Sequence, residues 1–87
     1  MAHATELKDT IDLMLSDDHY ERLMAEYMQL RIRHKKLCDM LDKYEKGSLS
    51  FTPQTPIDTL IDQADIMYKY LLILNQRLHI EDGRTET

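Results

Sequence analysis

Four cations, Arg31, Arg33, Lys35 and Lys36, stand almost side by side around His34. Guanidinium groups take phosphate through paired hydrogen bonds, ammonium groups take it as point charges, and tyrosine faces stack on flat rings and on arginine. Tyr68, Tyr70 and Arg77 follow later in the chain and fold back towards that band if the chain forms a hairpin. These seven residues are the candidate ligand-binding set, and the chemistry they would suit is a phosphate-bearing nucleotide. A plainer reading stands beside it. Lys35 and Asp39 are four residues apart, an ion pair on one helix face, and a solvated charged face with such pairs accounts for the same cluster.

Other chemistry finds little support. His34 has one nearby soft ligand, Cys38, four residues on, and His3, His19 and His79 fall at no metal-binding spacing, so no metal site is expected. His34 reads as a core or rim histidine, with a pH-sensitive polar group as the sharper alternative. The lone Cys38 excludes an intrachain disulfide, fits a reducing compartment, and reads as a small hydrophobe. No glycine-rich phosphate loop, nucleophile constellation or tuned carboxylate pair is present. The chain therefore reads as a binding protein without a cofactor, not an enzyme.

A net charge of -5 argues against a general DNA, RNA or anionic-membrane binder, because those affinities rest on a surplus of Lys and Arg. The longest apolar run, Tyr70 to Leu74, is far short of the roughly 20 residues that span a bilayer. The N-terminus has no signal-peptide core. A cytoplasmic protein is the expectation.

The elements that must position these residues are helices. One apolar stripe runs Tyr20, Leu23, Tyr27, Leu30, His34, Leu37, Leu41, Tyr44, and a second runs Ile57, Leu60, Ala64, Met67, Leu71, Leu74, Leu78. Steps of three and four keep each set on one side of an α-helix. The chain of 87 residues is predicted to be one all-α domain, an antiparallel two-helix hairpin preceded by a short helix. The expected segments are a short helix over 4–15, a long helix over 17–46, a loop over 47–55, a second long helix over 56–81, and a disordered tail over 82–87. Ser16 is the expected cap of the first long helix, Gly47 its left-handed stop, and Thr55-Pro56 the start of the second. Leu49 and Phe51 are expected to plug the open end. Position i should face roughly position 101 minus i across the hairpin, which brings Glu26 near Arg77.

Apolar residues remain after the seam is filled. Ile66, Tyr70, Ile73 and Ile80 form a second ordered set on the later helix, and Met24, Met28 and Ile32 do so on the earlier one. Two helices bury only the surfaces facing each other, so these faces need the N-terminal segment or another copy of the chain. A homodimeric, or higher, helical bundle is the expected partner arrangement, with Met24, Met28, Ile32, Ile66 and Ile73 as candidate interface residues.

The set Tyr20-Glu-Arg-Leu, Glu26-Tyr27, Leu30 to Arg33, Lys36-Leu37, Met40-Leu41, Leu60, Gln63, Met67, Tyr70-Leu71, Leu74 and Arg77 resembles a family of small helical-hairpin proteins of phages and prophages, named after a crAss-like phage protein. Gln63, Tyr70 and Arg77, a heptad apart, are its more distinctive part, and the resemblance covers about residues 19–80. It assigns no biochemical activity. It implies a phage accessory protein at work in the cytoplasm of a host bacterium, where counter-defence is a common task. The leading expectation is an oligomer that sequesters a nucleotide-derived immune signal in an inter-subunit basic and aromatic pocket. The alternatives are an inhibitor that captures a host defence protein on its Met24, Met28 and Ile32 face, and a purely structural helical adaptor.

Overall fold

The computed structural model describes residues 6–83, so the ends of the expected N-terminal helix and of the tail lie outside the described residues. A 3-10 turn, Leu7–Thr10, runs directly into α1, Ile11–Met14. Two long helices follow, α2 over His19–Glu45 and α3 over Ile57–Gly83. The described residues are otherwise turns and loop, and the molecule is a rod 52 Å long.

α2 starts later than its capping pattern predicts. Asp18, not Ser16, is the N-cap, and its carboxylate accepts the Tyr20 N–H at 3.3 Å. Ser16 is drawn into the turn before the helix. Its hydroxyl donates to Glu21 and accepts the Asp18 N–H at 3.0 Å, while its carbonyl accepts Arg22 Nη1 at 2.8 Å. A carboxylate at the positive end of the helix is favoured over a hydroxyl by the dipole.

The other end of α2 closes as the glycine requires. Gly47 has φ +73°, its N–H donates to the Tyr44 carbonyl at 3.0 Å, and the Ser48 N–H donates to the Lys43 carbonyl at 2.9 Å. These two bonds are a Schellman motif, which satisfies the last carbonyls of the helix. Pro56 sits just before α3 instead of at its first helical position. Its carbonyl accepts from the Thr59 and Leu60 N–H groups at 3.1 and 3.2 Å. α3 also outruns its expected end, continuing through Asp82 to Gly83.

Polar and ring contacts join α2 to α3. Tyr20 Oη donates to the Leu78 carbonyl, His19 pairs with Glu81 at 3.0 Å, Tyr70 Oη donates to Glu26, and the His34 and Tyr68 rings lie 6.2 Å apart. Low numbers on α2 therefore lie beside high numbers on α3. The seam between them buries Leu23, Ala64 and Leu74, and Leu74 is only 1% exposed. Complete burial of one leucine contributes about 1.5–3 kcal/mol, so Leu74 matters greatly in so small a core.

The second core is under the N-terminal segment. Met28 and Ile32, each 7% exposed, pack with Leu7, Leu13 and Tyr27. Thr10, fully buried, donates its hydroxyl to the Leu7 carbonyl at 2.8 Å and accepts Gln29 Nε2 at 2.9 Å. One threonine thus closes its own turn and fastens that turn to α2, with both roles of its hydroxyl satisfied.

Two expectations are corrected here. Met28 and Ile32 do not present an open face, because the N-terminal segment already covers them, and Met24 is half-buried beside them. Phe51 does not plug the hairpin. It is 56% exposed and lies with Pro53, Met40 and Leu60 around a shallow depression.

Candidate functional site

The four cations that adjoin in sequence are separated by the helix that carries them. Successive residues turn by about 100°, so Arg33 points about 200° away from Arg31, while Lys35 returns to within about 40° of Arg31. Arg31 and Lys35 share one side of α2; Arg33 and Lys36 share another. All four are exposed.

Arg31 faces a cleft. Its guanidinium carbon lies 5.8 Å from the centroid of the Tyr27 ring, a cation–π distance. Tyr20, Met24, Tyr27, Met28, Arg31, Leu78 and Asp82 line this open cleft, whose volume is about 520 Å³. Tyr20, Met24, Tyr27 and Arg31 follow one another in steps of four, three and four, which stacks them along one face of α2. Leu78 and Asp82, also four apart, close the cleft from α3. It offers two phenol rings, one guanidinium and one carboxylate in a largely apolar wall. Chemically, such a set can stack a planar ring, hold an anion, and accept a hydrogen bond from a hydroxyl or amine.

Four of the remaining candidates, Lys35, Tyr68, Tyr70 and Arg77, are engaged elsewhere. Lys35 pairs with Asp39 at 3.0 Å. Tyr68 lies against His34, whose Nε2 is 3.4 Å from Cys38 Sγ. Tyr70 donates to Glu26. Arg77 pairs with Glu81 at 3.4 Å on its own helix, which corrects the expected Glu26 to Arg77 bridge. An i,i+4 carboxylate is a nearer partner than one on the facing helix. Within one chain, then, the seven ligand candidates do not meet in a single pocket. Among the described residues no cluster of three or more metal-ligating side chains occurs.

The sequence reading missed Tyr20, Tyr27, Leu78 and Asp82 as lining residues. The signal is present in the Tyr20, Met24, Tyr27, Arg31 run, but as members of the apolar stripe Tyr20 and Tyr27 read as seam residues. A stripe residue at the edge of a two-helix seam keeps one ring face open, and periodicity does not separate edge from centre.

The interface candidates on α3 are open. Ile66, Ile73 and Ile80 are 65%, 56% and 64% exposed, and Tyr70 stands among them half-open. The Sequestin family model matches residues 17–80, which is α2, the loop and most of α3. The chain belongs to the Sequestin family. The stretch that carries the resemblance described above, residues 19–80, lies within that match. The family name speaks of sequestration, a binding role and not a catalytic one. No curated protein and no solved structure matches this Sequestin-family chain. No helix among its described residues is long and apolar enough to cross a membrane.

Proposed function

We propose that the chain is a non-enzymatic sequestering protein, and that its antiparallel α2–α3 hairpin is one half of a homodimeric bundle. Its ligand is a nucleotide-derived immune signal of a bacterial host. The chain is phage-encoded, acts in the host cytoplasm, and removes the signal from the receptor that would read it. The observation that carries this reading is the stack of Arg31 on Tyr27 at the mouth of the Tyr20, Met24, Leu78 and Asp82 cleft.

A cavity of about 520 Å³ falls within the roughly 300–1,000 Å³ of small-molecule sites. A nucleobase would lie against the tyrosine rings, a phosphate would take Arg31 in paired hydrogen bonds, and Asp82 would accept from a sugar hydroxyl. The other candidates, Arg33, Lys35, Lys36, Tyr68, Tyr70 and Arg77, would surround the half-site. Lys35 lies one turn from Arg31 on the same side of α2, and Arg33, Lys36 and Tyr68 would reach a ligand held in one copy only from the second copy.

Native mass spectrometry of protein purified from bacteria with an active nucleotide-signalling defence tests this. The expected result is an adduct of nucleotide mass, released unaltered on denaturation and lost in Arg31→Glu. A protein that carries no adduct, or an adduct unaffected by Arg31→Glu, overturns the reading. A second reading, capture of a host defence protein, would now use the open α3 face and not Met28 and Ile32, which are covered.

A further inference from the structure

The structure distinguishes two apolar faces that look alike in sequence. The face on α2 is covered by Leu7 and Leu13 of the same chain. The face on α3 is not, and it has heptad order: Gln63, Tyr70 and Arg77 repeat every seventh residue, interleaved with Ile66, Ile73 and Ile80. Three isoleucines, each more than half exposed, in line on one helix form one contiguous apolar strip, of the kind that often marks an interaction surface.

We infer that a second copy of this chain covers that face, with the two α3 helices packed against each other in antiparallel register about a twofold axis between Tyr70 and Ile73. The inference rests on the self-association in the reading above and names its surface and geometry. A heptad stripe with isoleucine at every second position suits the seam of a coiled-coil contact, and a twofold contact requires a surface that complements itself.

Charge chooses the direction. In a parallel pair each Arg77 would stand directly opposite the Arg77 of the other copy, and like charges across a seam are destabilising. In the antiparallel pair Arg77 meets Ile66, Tyr70 meets Ile73, and Gln63 meets Ile80. The two Arg77 positions are then about 16 Å apart along the axis, twice the Debye length of about 8 Å at physiological salt. Arg77 tolerates this place because Glu81, 3.4 Å away, already pairs its head group, which leaves its aliphatic stem to lie on the facing Ile66. Tyr70 tolerates its place because its hydroxyl is taken by Glu26 at the rim, which leaves the ring to pack.

From 63 to 80 the strip is about 27 Å long and one helix face wide. A contact so narrow is small among specific interfaces, so the pairing is expected to depend on protein concentration. The pairing also sets Tyr70, Arg77 and Gln63 of both copies along one line. The distinctive heptad residues of the chain thereby become neighbours across the axis.

Sedimentation equilibrium on the full chain and on Ile73→Asp tests the surface, with helical circular dichroism as the fold control. The expected results are a concentration-dependent dimer and, for Ile73→Asp, a helical monomer. Cysteine pairing tests the geometry in a Cys38→Ser background and remains decisive if Ile73→Asp does not fold. Ile66→Cys mixed with Arg77→Cys should form mixed disulfide dimers, while Ile66→Cys alone should not cross-link. A monomeric wild type throughout the micromolar range, a dimer that persists in Ile73→Asp, or cross-linking of Ile66→Cys to itself overturns the inference. Native spectra of the same samples keep pairing and ligand apart: a monomer that retains a nucleotide adduct sinks the self-association and leaves the ligand, and an α3-linked dimer without adduct sinks the ligand and leaves the pairing.

Discussion

Ile32→Ala and Ile73→Ala delete the same three carbons from two helices of equal length, and the structure assigns them very different costs. Ile32 is 7% exposed beneath Leu7 and Leu13, whereas Ile73 is 56% exposed on α3. At about 0.8 kcal/mol for each buried methylene, the transfer cost at Ile32 is about 2.4 kcal/mol. A partly relaxed cavity brings it to about 3 kcal/mol. Less than half of Ile73 is covered within the chain, so its loss costs about 1 kcal/mol there. The gap of about 2 kcal/mol is large against a total of roughly 4–13 kcal/mol for a chain of this length. It corresponds to a melting difference of about 8–16 °C in a domain of this size. Urea and thermal unfolding followed by helical circular dichroism measure it, at concentrations low enough that self-association does not contribute. Equal destabilisation by the two substitutions, or a larger effect at Ile73, would refute the packing of the N-terminal segment on α2.

Three further outcomes follow from the geometry. Thr10→Val keeps the shape but removes the hydroxyl that bonds the Leu7 carbonyl and Gln29, and it should cost about 1–3 kcal/mol in urea unfolding. Gly47→Ala should cost about 1–2 kcal/mol through its positive φ alone, because an added Cβ meets nothing within 4 Å; a crystal structure of the variant should show the Schellman bonds retained. The Asp42 carboxylate bonded to Lys46 holds that exposed lysine above its ordinary value of 10.5. Its small contribution is therefore present below that value and is lost as pH rises through the raised one. The melting difference between wild type and Asp42→Asn should persist at neutral pH and fade in strong alkali.

How much of this was legible in the sequence depends on the range of the physics involved. Gly47 ends α2 because only a residue without Cβ takes its backbone angle cheaply, a fact settled within a few residues. Leu23 is buried on one helix and Ala64 and Leu74 on the other because steps of three and four place each on the apolar stripe of its own helix, which is also local. The Lys35–Asp39 pair follows from the same rule. The start of α2 was missed by two residues, since Ser16 and Asp18 both have capping side chains and competition in the turn decided between them.

The candidate site was legible as residue types and not as an arrangement. Sequence alone determined that helices carry Arg31, Arg33, Tyr70 and Arg77, and that more apolar surface exists than one hairpin seam can bury. Tertiary structure alone decided which surplus face is covered. Met28 and Ile32 carry the same periodic signal as Ile66 and Ile73, but the N-terminal segment lies on α2, fastened through Thr10 and Gln29, and leaves α3 open. Periodicity records that a face is apolar; what lies against it is a matter of distant contacts, which no local spacing encodes.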